Sequence, residues 1–166
     1  MTKNNIIPIG GDCSVALLLK ELELRESSYP FDWVTCSFNT AISLIDNNFS
    51  NFIDIEHLIR DKRITHQHVY HSDIYNLGFF HDFNQMEELS EQEQAIKEKY
   101  NRRIKRFYES LESGTTLIRL LTNDNDLNFY IYNKDKIKEL VRSYNINNKI
   151  IVCRTLDEIK EYLKEQ

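Results

Sequence analysis

The chain predicts an α/β fold, a single three-layer domain over residues 1–166 built on a mainly parallel sheet. Two patterns carry this. The last third alternates β-branched apolar runs with amphipathic runs, strand–helix–strand–helix, which implies parallel strands joined by right-handed crossovers. Near the start, the apolar run Ile6 to Ile9 stops at Gly10-Gly11 and leads into a helical stripe, adding a strand and a helix to the same sheet. A length of 166 residues suits one full core, and 41% apolar with 28% charged residues is an ordinary globular mixture.

The elements follow in order. Ile6 to Ile9 is a strand in which Pro8 is tolerated at an edge or near an end. Asp12 can cap the next helix, about Cys13 to Leu24, with Val15, Leu18, Leu19 and Leu22 on one face. Ser27 to Pro30 is a loop, and Phe31-Asp32-Trp33-Val34 is too short to classify. Asn39 to Phe49 is a second helix. Residues 53–85 are ambiguous: Val69-Tyr70 and Ile74-Tyr75 fit short strands, and Leu77 to Phe80 fits another that ends at His81-Asp82-Phe83.

Glu87 to Glu112 is a long helix, with Leu89, Ile96, Tyr100, Ile104, Phe107 and Leu111 on one stripe until Ser113-Gly114. Thr115 to Leu121 is a strand and Asn123 to Asn128 a polar loop. Lys134 to Tyr144 is a helix, Lys149 to Cys153 a strand and Leu156 to Leu163 a final helix.

Composition bounds the function. A net charge of −5 speaks against a general nucleic-acid partner. No stretch approaches membrane-spanning length, and Ile6 to Ile9 is too short for a signal-peptide core. Three cysteines (Cys13, Cys36, Cys153), odd in number and without metal-like spacing, predict reduced thiols in the cytoplasm. No cofactor motif is present.

Cys13 is the first candidate for chemistry. A thiol at the opening turn of a helix lies near unpaired amides and the positive dipole end, both of which favour thiolate. It also lies in a loop at the carboxyl end of a strand, where open α/β sheets form their ligand crevice. Adjacent Asp12 opposes the thiolate unless it is occupied as the cap. The competing reading is a small buried hydrophobe under the turn.

A nucleophilic cysteine needs a base, and His81, between Phe79-Phe80 and Asp82-Phe83, is the best candidate. Asp32, between Phe31 and the single tryptophan Trp33, either closes a structural corner or orients a His or Arg. His66, His68 and His71 form a second histidine group, for which a solvated segment is favoured over a metal site. On the long helix, Arg103 lies beside Tyr100 and Phe107 at the stripe's edge and is placed to reach a carboxylate or bound anion. Arg119 interrupts a core strand, so it must be paired or face the crevice; Asp32 and Asp82 are its expected partners.

In order and spacing these segments resemble the bacterial and viral family described as putative papain-like cysteine peptidases. The resemblance rests on Ile9-Gly10-Gly11-Asp12-Cys13-Ser14-Val15-Ala16, Tyr29-Pro30-Phe31-Asp32-Trp33 and Phe49-x-x-Phe52. It continues through Phe80-His81-Asp82-Phe83, Tyr100-Asn101-Arg102-Arg103-Ile104-x-Arg106-Phe107 and Leu117-Ile118-Arg119. It implies a thiol-dependent hydrolase with Cys13 as nucleophile, His81 as base and Asp82 or Asp32 orienting the imidazole. It also implies a papain-like α+β fold as the alternative to the parallel sheet. The family's first segment resembles Leu-Gly-x-x-Cys, and Ile9 replaces that leucine here. Gly11-Asp12-Cys13-Ser14 further resembles the Gly-Asp-Ser block of GDSL-type esterases. Those place an Asp-x-x-His pair near the C-terminus, and no histidine follows His81, so their mechanism does not carry over intact.

Two functions lead, with a structural or partner-binding domain without a pocket as the third reading. One is a cysteine peptidase-like hydrolase or acyltransferase acting on a peptide or small molecule. The other is a non-enzymatic module in which Arg103, Arg119 and the turn with Asp12, flanked by Trp33, bind an anion.

Overall fold

In the computed structural model, which describes residues 5–166, the strand β6 (Thr115–Leu120) is buried along its whole length. Residues 1–4, part of the polar lead-in, lie outside the described residues. A run of β-branched and apolar residues with no exposed face belongs in the middle of a sheet covered on both sides. β6 accordingly pairs in parallel with β1 (Asn5–Pro8) on one side and β7 (Lys149–Cys153) on the other. Pro8 ends an edge strand, where its missing amide costs no ladder bond.

Alternate residues of β6 serve opposite layers. Ile118 and Leu120 meet Val15, Leu18 and Leu19 of α1 (Ser14–Glu21) and Ile159 of α5 (Leu156–Lys164). Leu117 meets Phe107 and Leu111 of α3 (Leu89–Ser113), together with Ile137 and Val141 of α4 (Asp124–Tyr144). The parallel half is therefore three layers, as the alternating pattern predicts.

Residues 34–79 add an antiparallel sheet. Its order is β2 (Val34–Thr35), β5 (Leu77–Phe79), β4 (Tyr70–Ser72) and β3 (Leu58–Arg60). A bridge from Gly11 to Cys36 brings the first turn beside β2, and α2 (Phe38–Asp46) follows at once. The larger core runs through both sheets, from Ile7 and Leu117 to Phe31, Leu77 and Phe79. The fold class is thus mixed, a parallel sheet and an antiparallel one.

Three local readings change. The helix expected from Lys134 begins at Asp124, so Asn123 to Asn128 is its start and not a loop. Asn123 accepts the Asp126 amide at 3.0 Å, and Asp124 and Asp126 sit where the helix dipole favours acids. Ile74-Tyr75 is part of the turn between β4 and β5, with Asn76 left-handed (φ 52°). α1 stops at Glu21, short of Leu24, where Glu23 turns left-handed (φ 55°). Among the described residues, no helix is long and apolar enough to cross a membrane.

Candidate functional site

The site starts from two glycines. Gly10 (φ 78°) and Gly11 (φ 93°) take backbone angles that favour glycine, and both are pressed against neighbours. A Cβ on Gly11 would lie 2.9 Å from the Leu120 carbonyl oxygen and 3.5 Å from Thr122 Cγ2. A Cβ on Gly10 would lie 2.6 Å from Cys36 Sγ and 2.8 Å from Arg119 Nη1. The turn is thereby laid across the carboxyl end of β6.

Asp12 closes the turn. Its Oδ1 accepts the Ser14 amide at 2.8 Å and also the Ser14 hydroxyl, so the carboxylate is occupied in a local turn two residues before the helix, ahead of the N-cap position expected of it. Cys13 takes the N-cap position itself (φ −78°, ψ −4°), and its side chain makes no capping bond. It is a free, partly exposed thiol.

The adjacent strands β1 and β6 send their helices, α1 and α4, to opposite faces of the sheet. This is the switch point at which open α/β sheets form a crevice. A shallow depression of about 200 Å³ lies just beyond, lined by Leu121, Thr122, Asn123, Asp124, Leu127 and Arg154.

Beneath the switch point lies Arg119, fully buried. Its Nη1 donates to the Ile9 carbonyl at 3.0 Å, and its Nη2 donates to the Cys36 carbonyl at 2.9 Å and to Asp126 Oδ2 at 2.5 Å. The guanidinium also covers the Phe38 ring at 5.1 Å. The partner is therefore Asp126, not Asp32 or Asp82. The reason is local: Asp126 enters the core only because the segment read as a loop is the first turn of α4. Asp126 also accepts the Phe38 amide at 2.8 Å, tying down the start of α2. Burial pushes its carboxyl up, but the bonds from Phe38 and Arg119 and the arginine's charge outweigh this and hold it below its usual value.

The other two cysteines are buried. Burial pushes the Cys36 thiol up, against the opposing influence of Arg119 and the Gly11 amide. Burial, with Glu158 nearby, pushes the Cys153 thiol up as well.

A second cluster gathers the remaining candidates. Asp32 is fully buried and accepts Arg25 Nη2 at 2.6 Å, Arg25 Nε at 3.2 Å and the Tyr29 amide at 2.9 Å. Burial nonetheless raises its carboxyl above the usual value, and Oδ1 has no hydrogen-bond partner. Arg25, which no sequence motif flagged, also covers the Trp33 ring at 5.2 Å. His81 is exposed and meets Trp33 edge-on, with ring centres 5.7 Å apart.

Asp82 faces α3 instead of His81. It accepts Lys99 Nζ at 2.5 Å and the Tyr100 hydroxyl at 2.6 Å, with Arg103 Nη1 at 3.9 Å. Arg103 reaches inward as its helical position predicts, over the Tyr100 ring at 5.1 Å, and its Nη1 has no hydrogen-bond partner. Among the described residues no hydrogen bond joins Cys13 to His81, or His81 to Asp32 or Asp82. The ring contact of the imidazole is with Trp33.

The histidine group does not converge. His71 Nε2 lies 3.3 Å from Asp61 Oδ2, and His68 meets the Tyr70 ring at 6.4 Å. No group of three or more His, Cys, Asp or Glu suited to a metal occurs among the described residues.

Comparison with known proteins shows the family. An uncharacterized protein of Acanthamoeba polyphaga mimivirus is 33% identical over 130 residues, 68% of this chain. The chain spans 58% of that relative's length. No solved structure matches. A family model matches residues 4–155, a span that holds every strand of both sheets. The chain belongs to the family described as "putative papain-like cysteine peptidase".

Proposed function

We propose that this chain is a thiol-dependent hydrolase, cysteine peptidase-like or an acyl hydrolase or transferase, with Cys13 as nucleophile and His81 as base. One observation carries the reading. Cys13 is the cysteine that is not buried, and it stands at the opening turn of α1, beside the switch point of the parallel sheet. The thiol there stands beside the unpaired amides of the turn and the positive end of the helix dipole. Asp12 is engaged with Ser14, which ties up the nearest carboxylate.

In the proposed reaction the Cys13 sulfur adds to a substrate carbonyl and the amine or alcohol leaves. The departing group takes a proton from the His81 imidazolium. Water then cleaves the thioester, with the imidazole accepting its proton. The reading requires the Cys13 sulfur and the His81 imidazole to come within hydrogen-bond reach in the substrate complex. Free thiols fit a reducing, cytoplasmic setting. The anion-binding alternative has less support, because Arg119 is spent on internal partners.

The test is turnover of a panel of fluorogenic peptide amides, esters and thioesters by the wild-type chain and by Cys13→Ser and Cys36→Ser. Hydrolysis lost only in Cys13→Ser supports the reading. Hydrolysis that survives in Cys13→Ser, or no turnover and no labelling of Cys13 by an electrophilic acyl probe, overturns it.

A further inference from the structure

A groove of about 370 Å³ lies between α4 and β7, far along the sheet from the Cys13 turn. Its lining includes Lys134, Lys138 and Arg142 from α4, with Lys149, Ile150 and Ile151 from β7. The three basic residues of α4 recur every four positions, so they form one stripe with a step of about 6 Å. All four cations are exposed, and among the described residues none has an ion pair. The acid at the groove is Asp135. Such an unneutralised cluster is conspicuous on a chain of net charge −5.

The strand side supplies a second kind of group. β7 ends the order β1-β6-β7, so its outer edge has no strand beside it among the described residues. Consecutive strand residues point to opposite faces, so a groove lined by Lys149, Ile150 and Ile151 in succession meets the edge of the strand. The Cys153 carbonyl accepts the Leu121 amide, directed toward β6. By alternation, Ile150 and Val152 turn their N–H and C=O outward.

We propose that this edge and the basic stripe dock an extended acidic peptide segment, which adds to β7 as a further strand. Main-chain bonds would come from the outward groups of β7, as in other strand-addition interfaces. Acidic side chains at alternate peptide positions repeat about every 6.6 Å, close to the step of the stripe. The proposal is independent of Cys13 and extends beyond the hydrolase reading, since the groove is remote from that thiol.

The test is fluorescence anisotropy with a labelled ten-residue peptide alternating Glu with Val, using the full chain and its Cys13→Ser variant. Three results are expected: equal binding by both chains, several-fold weakening between low and high salt, and about tenfold weakening in the surface variant Lys134→Glu/Lys138→Glu. N-methylation of alternate peptide amides should remove binding. Several outcomes overturn the proposal: no binding, binding indifferent to the charge reversals or to N-methylation, or tighter binding of an unstructured RNA of equal charge. Peptide binding by a wild-type chain that shows no hydrolysis and no labelling of Cys13 counts against the hydrolase alone.

Discussion

Arg119 Nη2 and Asp126 Oδ2 lie 2.5 Å apart, and through this pair the central strand holds the start of α4, the start of α2 and the turn that carries Cys13. Removing one partner of a buried pair leaves an uncompensated charge and costs about 3–5 kcal/mol. Arg119→Met is expected to lower unfolding free energy by that amount in a denaturant titration. Replacing both residues should not restore stability, because the Ile9 and Cys36 carbonyls would still lack their donor.

The two buried carboxyls should respond oppositely to acid. Asp126 is held below its usual value of 3.8 in the fold, so its contribution is complete above that value and is lost as pH falls through the lower, folded one. Asp32 is raised above 3.8 chiefly by burial, so its contribution runs the other way: complete below 3.8 and lost as pH rises through the raised value. Asp126→Asn should therefore flatten the loss of stability on acidification, while Asp32→Asn should steepen it. Denaturant midpoints measured between neutral and strongly acidic pH check both signs.

How much of this was legible depended on the length of each pattern. The α3 stripe spans several turns, and β6 is a β-branched and apolar run interrupted by Arg119, so pattern found both. The strands of the antiparallel sheet are two or three residues long, too short for a period of two to show. The first turn of α4 was hidden for another reason. Asn123, Asp124 and Asp126 are helix-starting residues that also compose loops, and only the buried partner Arg119 distinguishes the two uses. Cys13 was legible from its glycine turn. Arg25 was not, because its role follows from Asp32 folding back across a loop.

Gly11 is the hinge between scaffold and thiol. Alanine there must hold φ near 93° and push its Cβ against the Leu120 carbonyl, a backbone atom with little room to retreat. The strain alone is about 1–3 kcal/mol. Gly11→Ala should lower the thermal midpoint and also change the alkylation rate of Cys13, because the turn must shift against Leu120 and Thr122. An unchanged midpoint would contradict the close approach.

The three thiols should separate kinetically. In the native chain a disulfide reagent such as Ellman's should modify Cys13 first, and Cys36 and Cys153 at least about tenfold more slowly, since both are buried with raised thiols. In strong denaturant all three should react together. Cys13→Ser should remove the fast phase alone. A fast phase that persists in that variant would place the accessible thiol elsewhere.

Trp33 gives an optical readout of His81, because it is the chain's single tryptophan and the two rings meet edge-on at 5.7 Å. The imidazole forms part of the indole's surroundings, so Trp33 emission should report the removal of that ring. His81→Ala should change the intensity or maximum of Trp33 emission while leaving the Arg25 contact with the ring. If His81 is also the base, the same variant loses about 10²–10⁴-fold in kcat, and added imidazole recovers part of the loss. A purely structural His81 would predict the optical change without the imidazole rescue. The rescue is therefore the measurement that separates a base from a ring that merely packs on Trp33.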